Sequence, residues 1–461
     1  MEKVKKFFKI EERGTSVRQE LIGGLVTFLA MAYILALNPG ILGDSDALGA
    51  AAFPAGGVFV ATAIAAGVAT LLMGLFANYP IALAPGMGIN AFIAYTVIAP
   101  WGNGYTWQEA LAAVFISGII FLVISLTPIR KWIINAVPNG LKKAIGAGIG
   151  FFIAFIGLQN AGIIVPDAAV SVSLGDLSDP AVLLAVFGIV VALSFFVMKG
   201  KISKFALILS MAVTAVVGIA MTYIFGLTGN AGLPTFGEFN YSSLSEFKET
   251  FFGFAKGFKT VFSHTDLWFV LFSLIYLDIF DTAGTLIAVS EPAGLLDEEG
   301  NLKDVDKAML ADAIGTTVGA MVGTSTVTSF VESSAGIEAG ARTGLSSVVV
   351  GVLFLVSIVA FPIFNIFIGS FALTSMALVL VGILMFSQIK NIDFSDLPTL
   401  GAAFIIIVMM VLTYSIGMGI AFGFIAYVLM MMVQKRFKEV NPVMYVLAVA
   451  FIAYFAVEAL F

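Results

Sequence analysis

A succession of apolar runs separated by short polar intervals constrains this chain more than any other feature. Runs at about 19–38, 56–78, 80–99, 107–126, 140–158, 180–198 and 203–226 precede a polar interval. Seven more follow at 267–290, 305–323, 326–343, 344–361, 370–387, 397–415 and 417–434. About 20 apolar residues in a helix cross a hydrocarbon core roughly 30 Å thick. Lipid offers backbone N–H and C=O groups no partners, so helices are the natural spanning element. The expected fold class is therefore an all-α polytopic membrane protein with 14 transmembrane segments. Composition agrees: 11% of the residues are charged, against about 25% in soluble domains. A last run, in the tail 435–461, is either a further span or an interfacial helix. The first run follows a charged start and lacks a small-residue cleavage site, which favours a retained span over a removed signal peptide. Without cysteine, disulfides, thiol nucleophiles and thiolate metal sites are excluded.

Basic residues orient the spans. With the N-terminus cytoplasmic, twenty Lys and Arg fall on inner connections and three, Lys248, Lys256 and Lys259, on the outer side in the 227–266 loop. Phenylalanines and lysines alternate within Glu246–Ser263 of that loop, which predicts an amphipathic helix on the outer surface. The fourteen runs divide at the loop into seven and seven, so the second half begins from the opposite face. Weak matches at an offset of 250, such as Ala61 with Ala311, Val68 with Val318 and Gly86 with Gly336, fit a 7+7 inverted repeat, an arrangement common among secondary transporters.

Two runs at corresponding positions are broken. Tyr79–Ala91 carries Pro80, Pro85, Gly86 and Gly88, and Gly323–Gly336 carries a hydroxyl-rich, β-branched stretch before Glu332. Proline disfavours helix in the residue before it, and β-branched residues suit extended backbone. Each reads as a discontinuous helix (the third and the tenth) preceded by a short extended strand. Extended backbone at membrane depth is tolerated only inside protein or along a cavity, and helices that begin there aim free N–H groups at one point.

Acids inside apolar runs give that point its chemistry. Asp278 and Asp281 lie three residues apart in 267–290 and so share a helix face; Glu332 lies at the second break. A carboxylate in hydrocarbon costs roughly 2.5–3.5 kcal/mol on insertion scales, so such acids mark a pathway, a partner or a ligand. Asp281 has a local alternative, a bond to Thr282 or Thr285. Asn90 has one too, capping or bridging helices. The sole histidine, His264, falls in the outer loop, which leaves proton coupling to carboxylates. The acidic stretch Asp297–Asp306 lacks the ligand order of a calcium loop and reads as solvated.

The phrases Ala84–Ala91 (APGMGINA), Asp278–Thr285 (DIFDTAGT) and Thr324–Gly336 (TSTVTSFVESSAG) together resemble the azaguanine-type purine permeases. These are a branch of the nucleobase–cation symporters that share the uracil-permease fold. The resemblance implies that 19–126 and 267–361 (helices 1–4 and 8–11) form a core domain and that 127–226 and 362–434 (helices 5–7 and 12–14) form a gate domain. Residues 1–18 would be a cytoplasmic N-terminus. It implies elevator-like, proton-coupled uptake of hypoxanthine, guanine or adenine across the cytoplasmic membrane. Asn90, Asp278 and Glu332 match the family's substrate contacts, and Asp281 matches an acidic position of the uracil-permease branch.

A purine edge offers ring N–H donors and carbonyl or nitrogen acceptors, and its face stacks. The expected substrate-binding set is Asn90, Asp278, Glu332, Phe330, Phe28 and Ser333, with Asp281 and Glu332 coupling a proton. No cofactor or metal is expected, the coupling ion being H+. The partners are the base, the proton and the lipid bilayer, with a homodimer suggested by fold analogy and nucleic acid not among them. A carrier of the same fold for uracil, xanthine or an anion is the alternative, although an anion would suit a basic or neutral site better than three acids. Motifs of a membrane enzyme, such as His-Glu-x-x-His or Gly-x-Ser-x-Gly, are absent.

Overall fold

The computed structural model describes residues 2–127, 137–167, 169–198, 200–227, 230, 232–236, 242–295, 305–368 and 370–460. The acidic residues 297–299 and 304, and the basic residues Arg130, Lys131, Lys199 and Lys303, lie outside them. Among the described residues, nine helices are long and apolar enough to cross a membrane, and four shorter apolar helices accompany them, one being Pro442–Ala453. The chain divides into two compact units, Met1–Leu126 with Gly157–Ala377, and Thr127–Ile156 with Leu378–Phe461.

In the first unit, local chemistry sets the helix ends. Ser16 caps the helix Val17–Met31 through Gln19 N–H, and the chain breaks at Ala32 and Tyr33 before resuming as Ile34–Leu42. Thr106 and Glu109 form a reciprocal capping box on Trp107–Ser125, which satisfies N–H groups that a helix start otherwise leaves open. Small residues let backbones approach closely, as membrane helices require in place of a hydrophobic drive. A Cβ on Gly74 would meet the Gly344 carbonyl oxygen at 2.5 Å, and one on Gly351 the Gly67 carbonyl oxygen at 2.8 Å. The helix Gly344–Val356 therefore lies directly on Ala55–Leu72 and its continuation.

Two features differ from the sequence reading. The segment Glu246–Ser263, expected as one amphipathic surface helix, is not one helix. It forms Ser242–Thr250, Phe254–Gly257 and a 3-10 turn Val261–Ser263, and it packs into the protein through buried Thr250, Phe254 and Val261. Glu246 Oε2 accepts the Gly56 N–H at 2.7 Å, so the segment caps the Ala55–Leu72 helix. An antiparallel hairpin, Ile164–Asp167 with Ser171–Leu174, also interrupts the all-α pattern. Its strands are four residues each, too short for the runs of apolar residues to reveal.

Near the start of Trp107–Ser125, His264 stacks on Tyr105 with ring centroids 3.8 Å apart and lies 3.5 Å from Glu109. Burial, and then the neighbouring Asp266 carboxylate, pushes the Tyr105 phenol up, so it stays a donor. The second unit packs Leu397–Leu412 on Ile416–Val433 as a helical hairpin, closely enough that a Cβ on Gly419 would meet the Ile406 carbonyl oxygen at 2.8 Å. Pro442–Leu460 then packs on Ile416–Val433.

Candidate functional site

The two interrupted runs meet as a two-stranded antiparallel ribbon. Leu83–Pro85 pairs with Val327–Ser329 in the register Leu83↔Ser329, Ala84↔Thr328 and Pro85↔Val327. The ladder extends through Gly86 N–H to the Thr326 carbonyl at 3.1 Å and Phe330 N–H to the Ala82 carbonyl at 3.0 Å. A two-stranded ribbon has two open edges, and buried backbone groups need partners. Threonine hydroxyls from the surrounding helices supply them. Thr70 bonds both the N–H and the carbonyl of Leu83 at 2.9 Å, Thr316 accepts the Val327 N–H at 3.2 Å, and Thr282 accepts the Ser329 N–H at 3.1 Å. These hydroxyls, spread over three helices, explain how extended chain survives among apolar helices.

Each strand leads into a short helix, Met87–Ala91 after the first and Ser333–Glu338 after the second. Four carboxylates gather beside this ribbon. Asp278, on the helix Leu267–Ala293, is buried and its Oδ2 accepts the Thr316 hydroxyl at 2.9 Å. Its Oδ1 has no hydrogen-bond partner among the described residues. Asp281, one turn along, places an oxygen 3.5 Å from where a Cβ on Gly86 would stand. Thr328 on the second strand lies against it, rather than Thr282 or Thr285, the local partners weighed from the sequence. Glu332 receives the Tyr33 hydroxyl on Oε1 at 2.6 Å. Asp312, on Val305–Val322, is fully buried, faces Asp278 and Asp281, and has neither oxygen hydrogen-bonded among the described residues. Thr282 lies against it without hydrogen-bond alignment.

The structure thus brings Asp278, Asp281 and Glu332 to one ribbon. Asp281 and Glu332 keep partial exposure, whereas Asp278 is buried. Among the described residues, none of the four carboxylates pairs with Lys or Arg. The remaining residues of the expected set have these surroundings. Asn90 is buried and its Oδ1 accepts the Ser325 hydroxyl, which ties the first short helix to the loop before the second strand. Ser333 accepts the Ala82 N–H at 3.0 Å, so one lone pair of its hydroxyl is spent on the ribbon. Phe330 is buried at the ribbon's end. Phe28 packs edge-on against Phe354, with centroids 5.3 Å apart.

Sequence reasoning did not find Tyr33, Thr316 or Thr328 as neighbours of the acids. Each is an ordinary residue type inside an apolar run, and only the tertiary packing brings it to a carboxylate. Asp312 carried the same signal as the other acids, a charge within an apolar run.

A model of the permease family covers residues 18–424 of this chain. Curated relatives match nearly end to end. The guanine/hypoxanthine permease PbuG of Bacillus subtilis is 43% identical, over 98% of this chain and 99% of that protein. The adenine permease AdeQ of Escherichia coli is 36% identical, over 97% of this chain and 94% of that protein. Among solved structures, the transmembrane domain of the cyanobacterial bicarbonate transporter BicA superposes with a TM-score of 0.62 at 18% identity, covering 89% of this chain and 97% of that one; at that identity the likeness is one of fold. The chain is thus a multi-pass membrane transporter, not an enzyme, and it belongs to the permease family, in the branch of the azaguanine-type purine permeases.

Proposed function

We propose that this protein takes up a purine nucleobase (hypoxanthine, guanine or adenine) across the cytoplasmic membrane together with a proton. The observation that carries the reading is the gathering of Asp278, Asp281 and Glu332 at the paired strands with no Lys or Arg among the described residues to neutralise them. Acceptors without cationic partners suit a neutral ligand rich in N–H donors. They oppose the anion alternative that the shared fold otherwise permits. The names of the relatives, guanine/hypoxanthine and adenine permeases, support the same class.

In this reading a ring N–H of the base meets the unpartnered Oδ1 of Asp278, and a second meets Glu332. Asn90 recognises a mixed donor–acceptor edge, Phe330 and Phe28 supply the apolar faces, and Ser333 offers its remaining hydroxyl capacity. Asp281 and Glu332 are the acids with partial exposure, so a proton reaches them most readily. A proton and a base N–H compete for the same lone pairs, which links loading of one to the state of the other. The architecture proposed is fourteen spans in a 7+7 inverted repeat with the N-terminus cytoplasmic. In an elevator-like motion, 19–126 and 267–361 would carry the site past 127–226 and 362–434.

The test is uptake of labelled hypoxanthine, guanine, adenine, xanthine and uracil into proteoliposomes. Saturable uptake of at least one of the first three is expected. Uptake of uracil or xanthine alone would defeat the purine reading.

A further inference from the structure

Glu332 is held from two sides, and only one of them is backbone. Phe330 donates its N–H to the Ala82 carbonyl at 3.0 Å, and the Ala82 N–H returns to Ser333 Oγ at 3.0 Å, so the chain on either side of Glu332 is fastened to the first strand. Glu332 begins the Ser333–Glu338 helix, yet its side chain is not spent on capping it. The carboxylate is instead held by Tyr33, 299 residues away in sequence, through the 2.6 Å bond to Oε1.

Tyr33 suits that task. It is 2% exposed and stands at the break between Val17–Met31 and Ile34–Leu42, where the helix register is interrupted. A bond from a phenol to a carboxylate is charge-assisted and about twice as strong as a neutral one. The other titratable group facing this pair is Asp281, from the helix Leu267–Ala293, an acceptor that cannot replace the phenol as donor while ionised. A carboxylate offers about four lone-pair sites. Tyr33 takes one, which fixes the direction in which the rest point.

We propose that Tyr33 is a positioning residue that sets nucleobase specificity, holding Glu332 by Oε1 so that its remaining lone pairs meet one ring N–H of the bound base. This rests on the proposed purine uptake. A carboxylate aimed at one N–H rejects a base whose nitrogen carries a methyl group, because the acceptor is left unpaired and the methyl collides with it. A carboxylate free to rotate discriminates less.

The experiment compares wild type, Tyr33→Phe and Tyr33→His in proteoliposomes, using the best-transported purine and its singly N-methylated isomers, with melting in detergent followed in parallel. Phenylalanine keeps the ring and loses the donor; imidazole retains an N–H. Tyr33→Phe is expected to raise KM about tenfold with maximal rate within about twofold. The ratio of KM for the most strongly rejected methyl isomer to KM for the parent base is expected to fall by a similar factor. Tyr33→His is expected to recover part of that ratio. Wild-type methyl discrimination in Tyr33→Phe would overturn the proposal, as would equal loss of rate and melting temperature in both variants with the ratio unchanged. No purine uptake by the wild type would instead refute the functional reading.

Discussion

Thr316 links the ribbon to Asp278 through a single hydroxyl, so its removal has a cost that the geometry sets. Its oxygen lies 2.9 Å from Asp278 Oδ2, 3.2 Å from the Val327 carbonyl oxygen and 3.2 Å from the Val327 nitrogen, which donates to it. The one hydroxyl proton goes to the shorter contact, Asp278 Oδ2. Thr316→Val keeps the shape and removes the oxygen. The buried Val327 N–H then loses its side-chain partner, and Asp278, whose Oδ1 already has none, loses its hydrogen bond. An orphaned buried group costs about 1–3 kcal/mol, and two are affected, so a loss of about 3 kcal/mol is expected. Thr316→Ser keeps the hydroxyl and gives up one methyl, about 1 kcal/mol. The serine variant should therefore be the more stable by about 2 kcal/mol, roughly a 30-fold difference in the opening equilibrium of the strand. Hydrogen exchange at Val327–Ser329, read by mass spectrometry alongside uptake, measures this. Valine behaving like wild type, or serine proving worse than valine, would refute the reasoning.

Three further outcomes are expected. Gly86→Ala places a Cβ 2.9 Å from Thr328 Oγ1 and 3.5 Å from Asp281 Oδ2; overpacking of this kind costs about 1–3 kcal/mol, and uptake should fall at least tenfold in membranes that still contain the protein. Glu332→Gln and Asp278→Asn should abolish binding or uptake while leaving expression intact, and normal transport in both would show the site to be misassigned. In the second unit, partial burial of Asp396 opposes ionisation, but the Thr399 hydroxyl and the Arg436 guanidinium outweigh it and hold the carboxyl below its usual range. A lowered carboxyl stabilises the fold above its unfolded pKa, about 3.9, and that stability is lost as pH falls through the folded value. The melting gap between wild type and Asp396→Asn should therefore be constant from about pH 5 to 7 and close below about pH 4; a gap independent of pH would exclude this linkage.

Much of the site was legible because membrane depth makes polarity conspicuous. Asp278, Asp281 and Glu332 stood out as charges in apolar runs, and Pro80, Pro85 and the hydroxyl-rich 324–329 stretch marked where helix gives way to extended chain. The pairing itself was not legible. Leu83↔Ser329 joins residues far apart in sequence, and nothing in three-residue strands specifies a register. The neighbours of the acids were equally hidden: Tyr33 beside Glu332, Thr316 beside Asp278 and Thr328 beside Asp281. The outer segment misled for a related reason. Its phenylalanines suited a lipid-facing stripe, but Phe254 and Val261 turn inward while Phe251, Phe252 and Phe262 stay exposed, because Glu246 and Thr250 fasten the segment to neighbouring helices.

The central claim, proton-driven purine uptake, is tested most directly by imposing an inside-alkaline pH gradient on proteoliposomes and following labelled purine with time. Accumulation above the external concentration, abolished by a protonophore and by Glu332→Gln, is the predicted result. Saturable entry that only equilibrates the base, indifferent to the gradient and to the protonophore, would contradict it.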